Sequence, residues 1–349
     1  MGEVTSRYLV TGATGFLGGH LVDALLAVGN EVVALCREDE PELEDRGVRV
    51  VRGDVLDADA VGRAAAGTRG VFHCAGRVSR RPEDAEQLHH LHVGGTRSVL
   101  AAAKRASVRR VVVASTSGTV AVSADPNHIA TEADPAPFAL LSRWPYYRSK
   151  LYAEELALAA NGDGIEVVAV NPTLLLGPGD VRRSSTEDVR LFLERRVPAV
   201  PSGGLSFVDV RDAAAGMILA MERGTPGSRY LLGACNLTVR EFFARLARIS
   251  GVRAPWLPMP PMQDIARPSL QIAAGLAKRA QASWLASDVD PISFEMAQFY
   301  WYLDWALAER ELGWKPRDPM VTLRETVDDL LESSGRFTSP SRRRALAGP

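Results

Sequence analysis

Between residues 7 and 172, short and continuously apolar runs alternate with segments whose apolar positions recur three and four apart. The runs Tyr8–Thr11, Val32–Cys36, Val48–Val51, Val71–Cys74, Val111–Ala114 and Val167–Val170 predict six strands. Runs without polar alternation are the pattern of strands covered on both faces. Helices are predicted through Leu21, Leu25 and Leu26 to near Gly29, from near Asp57, from about Ala85 to Ala106, and from Tyr146 to about Ala160. Strand–helix alternation of this kind predicts an α/β fold with a doubly wound parallel sheet and right-handed crossovers.

The rhythm loosens after Pro172. Strand-like pieces remain at Ser206–Val210 and Arg229–Leu232, and helical pieces at Arg211–Met221, Val239–Ile249, toward Trp284, and from Ile292 to about Arg310. The Pro- and Met-rich segment Ala254–Arg267 reads as loop. Residues 1–175 are therefore read as the main domain and 176–333 as a smaller, mostly helical lobe. A piece of that lobe, about 206–225, is expected to return to the main domain. Residues 334–349, rich in Ser, Arg, Gly and Pro, are expected to form a disordered tail.

Composition narrows the function classes. The 349 residues are 46 % apolar, enough for a substantial core. Lys plus Arg number 41 against 42 for Asp plus Glu, a net charge of −1 that asks for no nucleic-acid or anionic-membrane partner. No run of 18 apolar residues predicts a membrane span. The first residues lack a basic stretch followed by an apolar one, so no signal peptide is expected. Cys36, Cys74 and Cys235 are widely spaced with no Cys-x-x-Cys pair, so neither a cysteine zinc site nor a thioredoxin-like site is read, and no metal is expected. A reducing, cytoplasmic setting is the expectation.

Candidate chemistry begins where the first strand meets the first helix, at Thr11-Gly12-Ala13-Thr14-Gly15-Phe16-Leu17-Gly18. The first glycine permits a tight turn, the second lets backbone approach a pyrophosphate, and the third lets helix pack on strand, as in a Rossmann-type domain. The helix start offers free N–H groups to the phosphates. The second strand ends without an acid, and Arg37 follows it at once. Arg37 suits a 2′-phosphate, which favours NADP(H) over NAD(H); the plainer alternative pairs it with Glu38 or Asp39. Asp54, before Val55, either accepts from an adenine amino group or caps the helix near Asp57.

Tyr146 and Lys150 are four apart and share a helix face. A neighbouring ammonium favours the phenolate and is expected to lower the Tyr146 pKa. Three hydroxyl residues, Ser115, Thr116 and Ser117, follow the fifth strand, where open α/β sheets bind ligands.

These residues carry a resemblance to the extended short-chain dehydrogenase/reductase superfamily. The matching marks are the Thr11–Gly18 loop, Gly53-Asp54, Phe72-His73-Cys74-Ala75, Ser115–Ser117, Tyr146-x-x-Ser149-Lys150, Asn171-Pro172, Gly177-Pro178-Gly179, Phe207-Val208-Asp209-Val210-Arg211-Asp212 and Leu312-Gly313-Trp314. In appearance the chain is similar to dihydroflavonol-reductase-like, 3β-hydroxysteroid-dehydrogenase-like and hopanoid-associated sugar epimerase relatives. The resemblance implies Tyr146 as proton donor or acceptor. It implies Lys150 as the residue that lowers the phenol pKa and holds the nicotinamide ribose. Ser117 is implied as the group that orients the substrate carbonyl, with Ser115 as fallback. It places Pro172 beside the nicotinamide, with Val55 and Ala75 in the cofactor set, and makes Asp212 structural. One position departs: His92 stands where relatives often carry Asn, either as a substitute relay or as a helix histidine satisfied by a carbonyl.

Two reactions share this machinery. One is NADPH-dependent reduction of an aldehyde or ketone, reversible as alcohol oxidation. The other is NAD-dependent epimerisation or dehydration of a nucleotide-sugar, whose diphosphate would need cations such as Arg182, Arg183, Arg190, Arg195 and Arg196. A non-catalytic NADP-binding scaffold is the third alternative. The aromatic late segment (Trp256, Met259, Met262, Trp284, Phe294, Phe299, Tyr300, Trp301, Tyr302 and Trp305) favours the reductase with a partly apolar small-molecule substrate. Much of that set is read as lobe core or as the face of a homodimer.

Overall fold

The computed structural model describes residues 5–197, 199–258 and 291–334. In chain order the elements are β1 (Arg7–Thr11), α1 (Phe16–Ala27), β2 (Glu31–Cys36), α2 (Pro41–Glu44), β3 (Arg49–Arg52), α3 (Ala58–Ala65), β4 (Gly70–His73), α4 (Ala85–His89), α5 (Gly95–Arg105), β5 (Arg110–Ala114), α6 (Phe138–Leu141), α7 (Pro145–Ala159), β6 (Glu166–Pro172) and β7 (Leu174–Leu176). There follow α8 (Glu187–Leu193), β8 (Gly204–Asp209), α9 (Val210–Arg223), β9 (Arg229–Leu232), β10 (Cys235–Thr238), α10 (Val239–Ser250), α11 (Pro291–Met296), α12 (Ala306–Leu312) and α13 (Pro319–Ser333).

β1–β6 and β9 form a seven-stranded sheet, every pair parallel, in the order β3-β2-β1-β4-β5-β6-β9. The chain reverses its direction of travel between β1 and β4, so their carboxyl ends open a crevice. Alternate strand residues feed opposite cores. Tyr8 and Val10 join Leu21, Leu25, Phe72, Met217 and Trp314 on one face. Leu9 joins Val33, Val71, Ala103 and Val111 on the other. This double burial is why the runs carry no polar alternation. All six runs form strands, with bounds within two residues of those expected. The helix expected from Ala85 to Ala106 is interrupted by a π-turn at His90–Gly94. Such turns insert a residue and re-aim the side chains around them.

A second, three-stranded sheet runs β10-β8-β7. Its core holds Leu176, Phe192, Phe207, Phe242, Phe243 and Leu323. The sequence reading lacked β7, β10, α8 and α13. It also expected one helix from Ile292 to about Arg310, which the structure corrects. That stretch is two short helices, α11 and α12, joined by an extended segment. Tyr300 N donates to Ser123 O at 2.8 Å, Trp301 N to Gly204 O at 3.1 Å and Asp304 N to Ala130 O at 2.8 Å. Aromatic residues favour such extended backbone.

The return of late segments to the main sheet is wider than 206–225. β9 adds to the sheet edge, and Ala308, Leu312 and Trp314 enter the β1 core. Trp314 Nε1 donates to Asp212 O at 2.8 Å, and the Asp212 carboxylate accepts from Arg317 N at 2.8 Å. Met259, Met262, the helix toward Trp284 and the tail beyond residue 334 lie outside the described residues.

Candidate active site

The glycine-rich turn sits at the crevice. Gly12 has φ 72°, and a Cβ there would lie 2.7 Å from Ala75 N. At Gly18 a Cβ would overlap the Gly12 carbonyl. Gly15 caps α1 and donates from N to Gly12 O at 2.9 Å. The first turn of α1 carries no acidic side chain. Thr14, Phe16 and Leu17, all half-buried, complete the turn. Side-chain-free backbone at the positive end of a helix, at the switch point of a parallel sheet, fits a dinucleotide pyrophosphate.

Arg37 is exposed at the end of β2 and makes no hydrogen bond or ion pair among the described residues. Asp39, one of its two expected partners, instead faces Arg52 at 3.7 Å. Asp54 Oδ1 accepts from Leu56 N at 2.9 Å, while α3 is capped by Asp57, which accepts from Asp59 N and Ala60 N. The capping alternative for Asp54 therefore falls away. Val55 is buried against Gly95, and Ala75 N donates to Thr11 Oγ1 at 3.3 Å. The loop after β7 brings Arg182 Nη2 to Thr14 Oγ1 at 3.2 Å. The candidate patch of Arg182, Arg183, Arg190, Arg195 and Arg196, which could equally lie on an ordinary solvated helix face, is divided. Arg190 is held by Glu187 and Glu194, and Arg196 lies 3.4 Å from Glu194.

At the other end of the crevice α7 leans on the carboxyl end of β5. Pro145 occupies the first turn of α7, where its missing N–H costs nothing. Lys150 is buried, and its Nζ donates to Ala114 O at 2.7 Å. Ser117 is buried and opens the 3₁₀ turn Ser117–Thr119; no hydrogen bond engages its hydroxyl among the described residues. The Ser115 hydroxyl, by contrast, is committed to Glu154 Oε2. Thr116 Oγ1 accepts from Gly118 N at 3.3 Å. Pro172, buried, ends the neighbouring β6.

The electrostatics correct one expectation. Burial pulls the Lys150 ammonium down to about 8, with the Glu154 carboxylate pushing it back up. Tyr146, half-buried, has its phenol pushed up rather than down, first by desolvation and then by Tyr147. The two side chains share a helix face, but the ammonium donates to the strand carbonyl. His92 is buried and neutral, its pKa lowered to about 3 by burial, then by Lys150 and His73. Its partners are the Ser149 hydroxyl and Arg77 N, not a carbonyl.

The sequence reading gives no role in the site to Glu154, Ser149 or Tyr147, and names Trp301 only as one of the late aromatic set. Glu154 lies four residues beyond Lys150, and that spacing was the available signal. Ser149 links His92 to Tyr146. Tyr147 and Trp301, ring centroids 5.0 Å apart, form an aromatic wall with Trp144. Trp301 comes from the extended segment that the sequence reading took for helix.

The model of the NAD dependent epimerase/dehydratase family matches residues 8–233. A Synechocystis protein provisionally named a dihydroflavonol 4-reductase is 38 % identical over 265 residues, covering 72 % of this chain and 76 % of that one. A ketoreductase of Stigmatella aurantiaca, named for 4-hydroxy-2-methyl-3-oxo-4-farnesyl-3,4-dihydroquinoline-1-oxide, is 30 % identical over 353 aligned positions, 96 % of this chain and 99 % of that one. The crystal structure of gox2253 superposes with a TM-score of 0.79 at 26 % identity, covering 96 % of this chain and all of that one. Among the described residues no helix is long and apolar enough to cross a membrane. The chain belongs to the NAD dependent epimerase/dehydratase family and is an NAD(P)-dependent oxidoreductase of the extended short-chain dehydrogenase/reductase type.

Proposed function

We propose that this protein is an NADPH-dependent reductase of an aldehyde or ketone, working reversibly on the corresponding alcohol. What supports the reading is Lys150 Nζ on Ala114 O at the carboxyl end of β5, Tyr146 one turn before it on α7, and Ser117 in the turn that follows β5, its hydroxyl without a hydrogen bond among the described residues. When bound, NADPH supplies the hydride. Ser117 donates a hydrogen bond to the substrate oxygen. Tyr146 passes its phenolic proton to that oxygen as it gains charge, and its raised pKa keeps the proton in place beforehand. Lys150, charged at neutral pH, stabilises the phenolate left behind and turns to the nicotinamide ribose.

Gly12, Thr14, Gly15, Phe16, Leu17 and Gly18 would hold the pyrophosphate, with Arg182 beside Thr14. Asp54, Val55, Ala75 and Pro172 would line the rest of the cofactor path. The unpaired Arg37 supports NADP over NAD, because a 2′-phosphate supplies the anion it lacks. The rings of Tyr147, Trp144 and Trp301 support a partly apolar substrate, in keeping with the carbonyl reductions named for the relatives. The three cysteines are unpaired, which supports a reducing cytoplasmic setting.

The family description favours a second reading, NAD-dependent epimerisation or dehydration of a nucleotide-sugar. The division of the arginine patch weighs against it. Titration of the purified protein with NADPH and NADH by fluorescence, followed by a carbonyl panel scored by cofactor oxidation, separates the two. Tighter NADH binding, or turnover of a nucleotide-sugar without net cofactor consumption, replaces the reductase with the second reading. Tyr146→Phe is expected to abolish turnover and preserve NADPH binding; a near-normal rate assigns the proton to another group.

A further inference from the structure

A buried carboxylate lies behind the site and takes no part in the chemistry described so far. Glu154 is only 1 % exposed. It stands one turn beyond Lys150 on α7, so both side chains point at β5. One of its oxygens, Oε2, accepts from Asn171 Nδ2 at 2.7 Å, from Thr119 Oγ1 at 3.0 Å and from the Ser115 hydroxyl. The other, Oε1, faces Arg229 Nη1 of β9 at 3.0 Å. An interior carboxylate is tolerated as an anion only with partners of this number and charge.

The identity of the donors gives the arrangement its meaning. Ser115 and Thr119 stand two residues before and two after Ser117. Both ends of that turn are therefore tied to a single oxygen atom on α7. Asn171 strengthens the clasp, since its Nδ2 also reaches Thr116 O and Thr119 Oγ1, each at 3.1 Å. Lys150 Nζ grips the residue just before the turn, at Ala114 O. Ser117 is left at the apex with its hydroxyl free.

We propose that Glu154 is a positioning residue of the site: it fixes the Ser115–Thr119 turn so that Ser117 faces Tyr146, and its negative charge keeps Lys150 an ammonium. This rests on the reductase reading of Ser117, Tyr146 and Lys150. Among the described residues the other titratable groups around Lys150 are His73 from β4, Cys74 just after it, His92 from the π-turn, and Tyr146 on its own helix. Glu154 itself faces Arg229. Among these described groups Glu154 is the one carboxylate, and burial keeps the Cys74 thiol protonated and both histidines neutral. A purely structural ion pair between Glu154 and Arg229 would instead serve only to dock β9 on α7.

The test uses the full-length protein with a turned-over carbonyl substrate, comparing E154Q, E154D and R229Q. The readouts are NADPH affinity by fluorescence, urea unfolding, and the pH profile of kcat/KM. E154Q removes the charge, and the alkaline limb of its profile is expected to move down by about one pH unit. R229Q is expected to lose stability while leaving that limb in place. E154D keeps the charge on a shorter arm; its limb stays and its kcat falls about tenfold or more, with NADPH affinity little changed. An unmoved limb in E154Q, or full kcat in E154D, overturns the proposal. If E154Q does not fold, E154D decides alone. Absence of NADPH-dependent turnover in the unaltered protein is a failure of the reductase reading, and it is seen before any variant is made.

Discussion

His92 Nδ1 lies 2.8 Å from Ser149 Oγ, and this contact has a single direction. Arg77 N donates to His92 Nε2 at 3.1 Å, so Nε2 is the bare nitrogen and Nδ1 carries the hydrogen. Ser149 then accepts from His92 and donates to Tyr146 O at 2.8 Å. The loop after β4 is thus tied, through one buried imidazole, to the backbone of Tyr146. His92→Ala leaves Arg77 N and Ser149 short of a partner and opens a cavity. It is expected to cost about 3 kcal/mol of stability, read by urea unfolding, and to lower kcat more than it raises KM.

Protonation of buried histidines sets a second expectation. His73 and His92 both have pKa values lowered to about 3, chiefly by burial, against 6.5 when unfolded. Between pH 6.5 and 3 the unfolded chain binds protons that the folded chain refuses. Stability therefore falls as pH falls through that window, by up to about 1.4 kcal/mol per pH unit for each histidine. His92→Asn should flatten the dependence by one histidine's share. Urea titrations at pH 7, 6 and 5 measure it; equal slopes in both proteins would show that His92 titrates when folded.

Much of this was legible because the signals were local. A glycine loop between strand and helix, and a Tyr–Lys pair four apart, specify geometry within a few residues. The six apolar runs likewise located six of the seven strands of the main sheet. What escaped depended on contacts between distant segments. The residues 297–305 carry an aromatic pattern that suits a helix face as well as a strand. Their backbone is decided by Ser123, Ala130 and Gly204, which the local pattern does not include. Lys150 beside Tyr146 suggested a lowered phenol pKa, but burial and then Tyr147 raise it, and the lysine has turned to Ala114 O. Glu154 was overlooked because its partners come from the turn after β5, from β6 and from β9.

The two arginines at the cofactor end should separate by specificity. Arg37 follows β2 without a partner among the described residues, and Arg182 lies on Thr14 of the glycine loop. A charge-assisted hydrogen bond to phosphate contributes about 1.5–3 kcal/mol, or roughly tenfold to a hundredfold in affinity. Arg37→Ala is expected to weaken NADPH by that factor and leave NADH unchanged. Arg182→Ala should weaken both alike, since the pyrophosphate is common to them. Fluorescence titration of each variant with each cofactor checks both statements, and an Arg37→Ala protein that loses NADH equally would detach Arg37 from the 2′-phosphate.

Gly118 ties the Ser117 turn to the aromatic wall. A Cβ at that position would lie 2.2 Å from Tyr147 Cε1 and 3.0 Å from Trp301 Cζ3. The Tyr147 ring centroid is 5.0 Å from both the Tyr146 and the Trp301 centroids, so it has little room to retreat. Gly118→Ala must therefore push either the turn that carries Ser117 or the ring that flanks Tyr146. Overpacking of this kind costs about 1–3 kcal/mol, and kcat should fall with it. The origin of the strain can be isolated with Tyr147→Ala, which empties the space that the new methyl needs. In the double variant the penalty of Gly118→Ala should largely disappear, giving a coupling energy of about 1 kcal/mol or more in a double-mutant cycle of urea stabilities. Additive losses would instead place the effect of the methyl in the turn's own backbone.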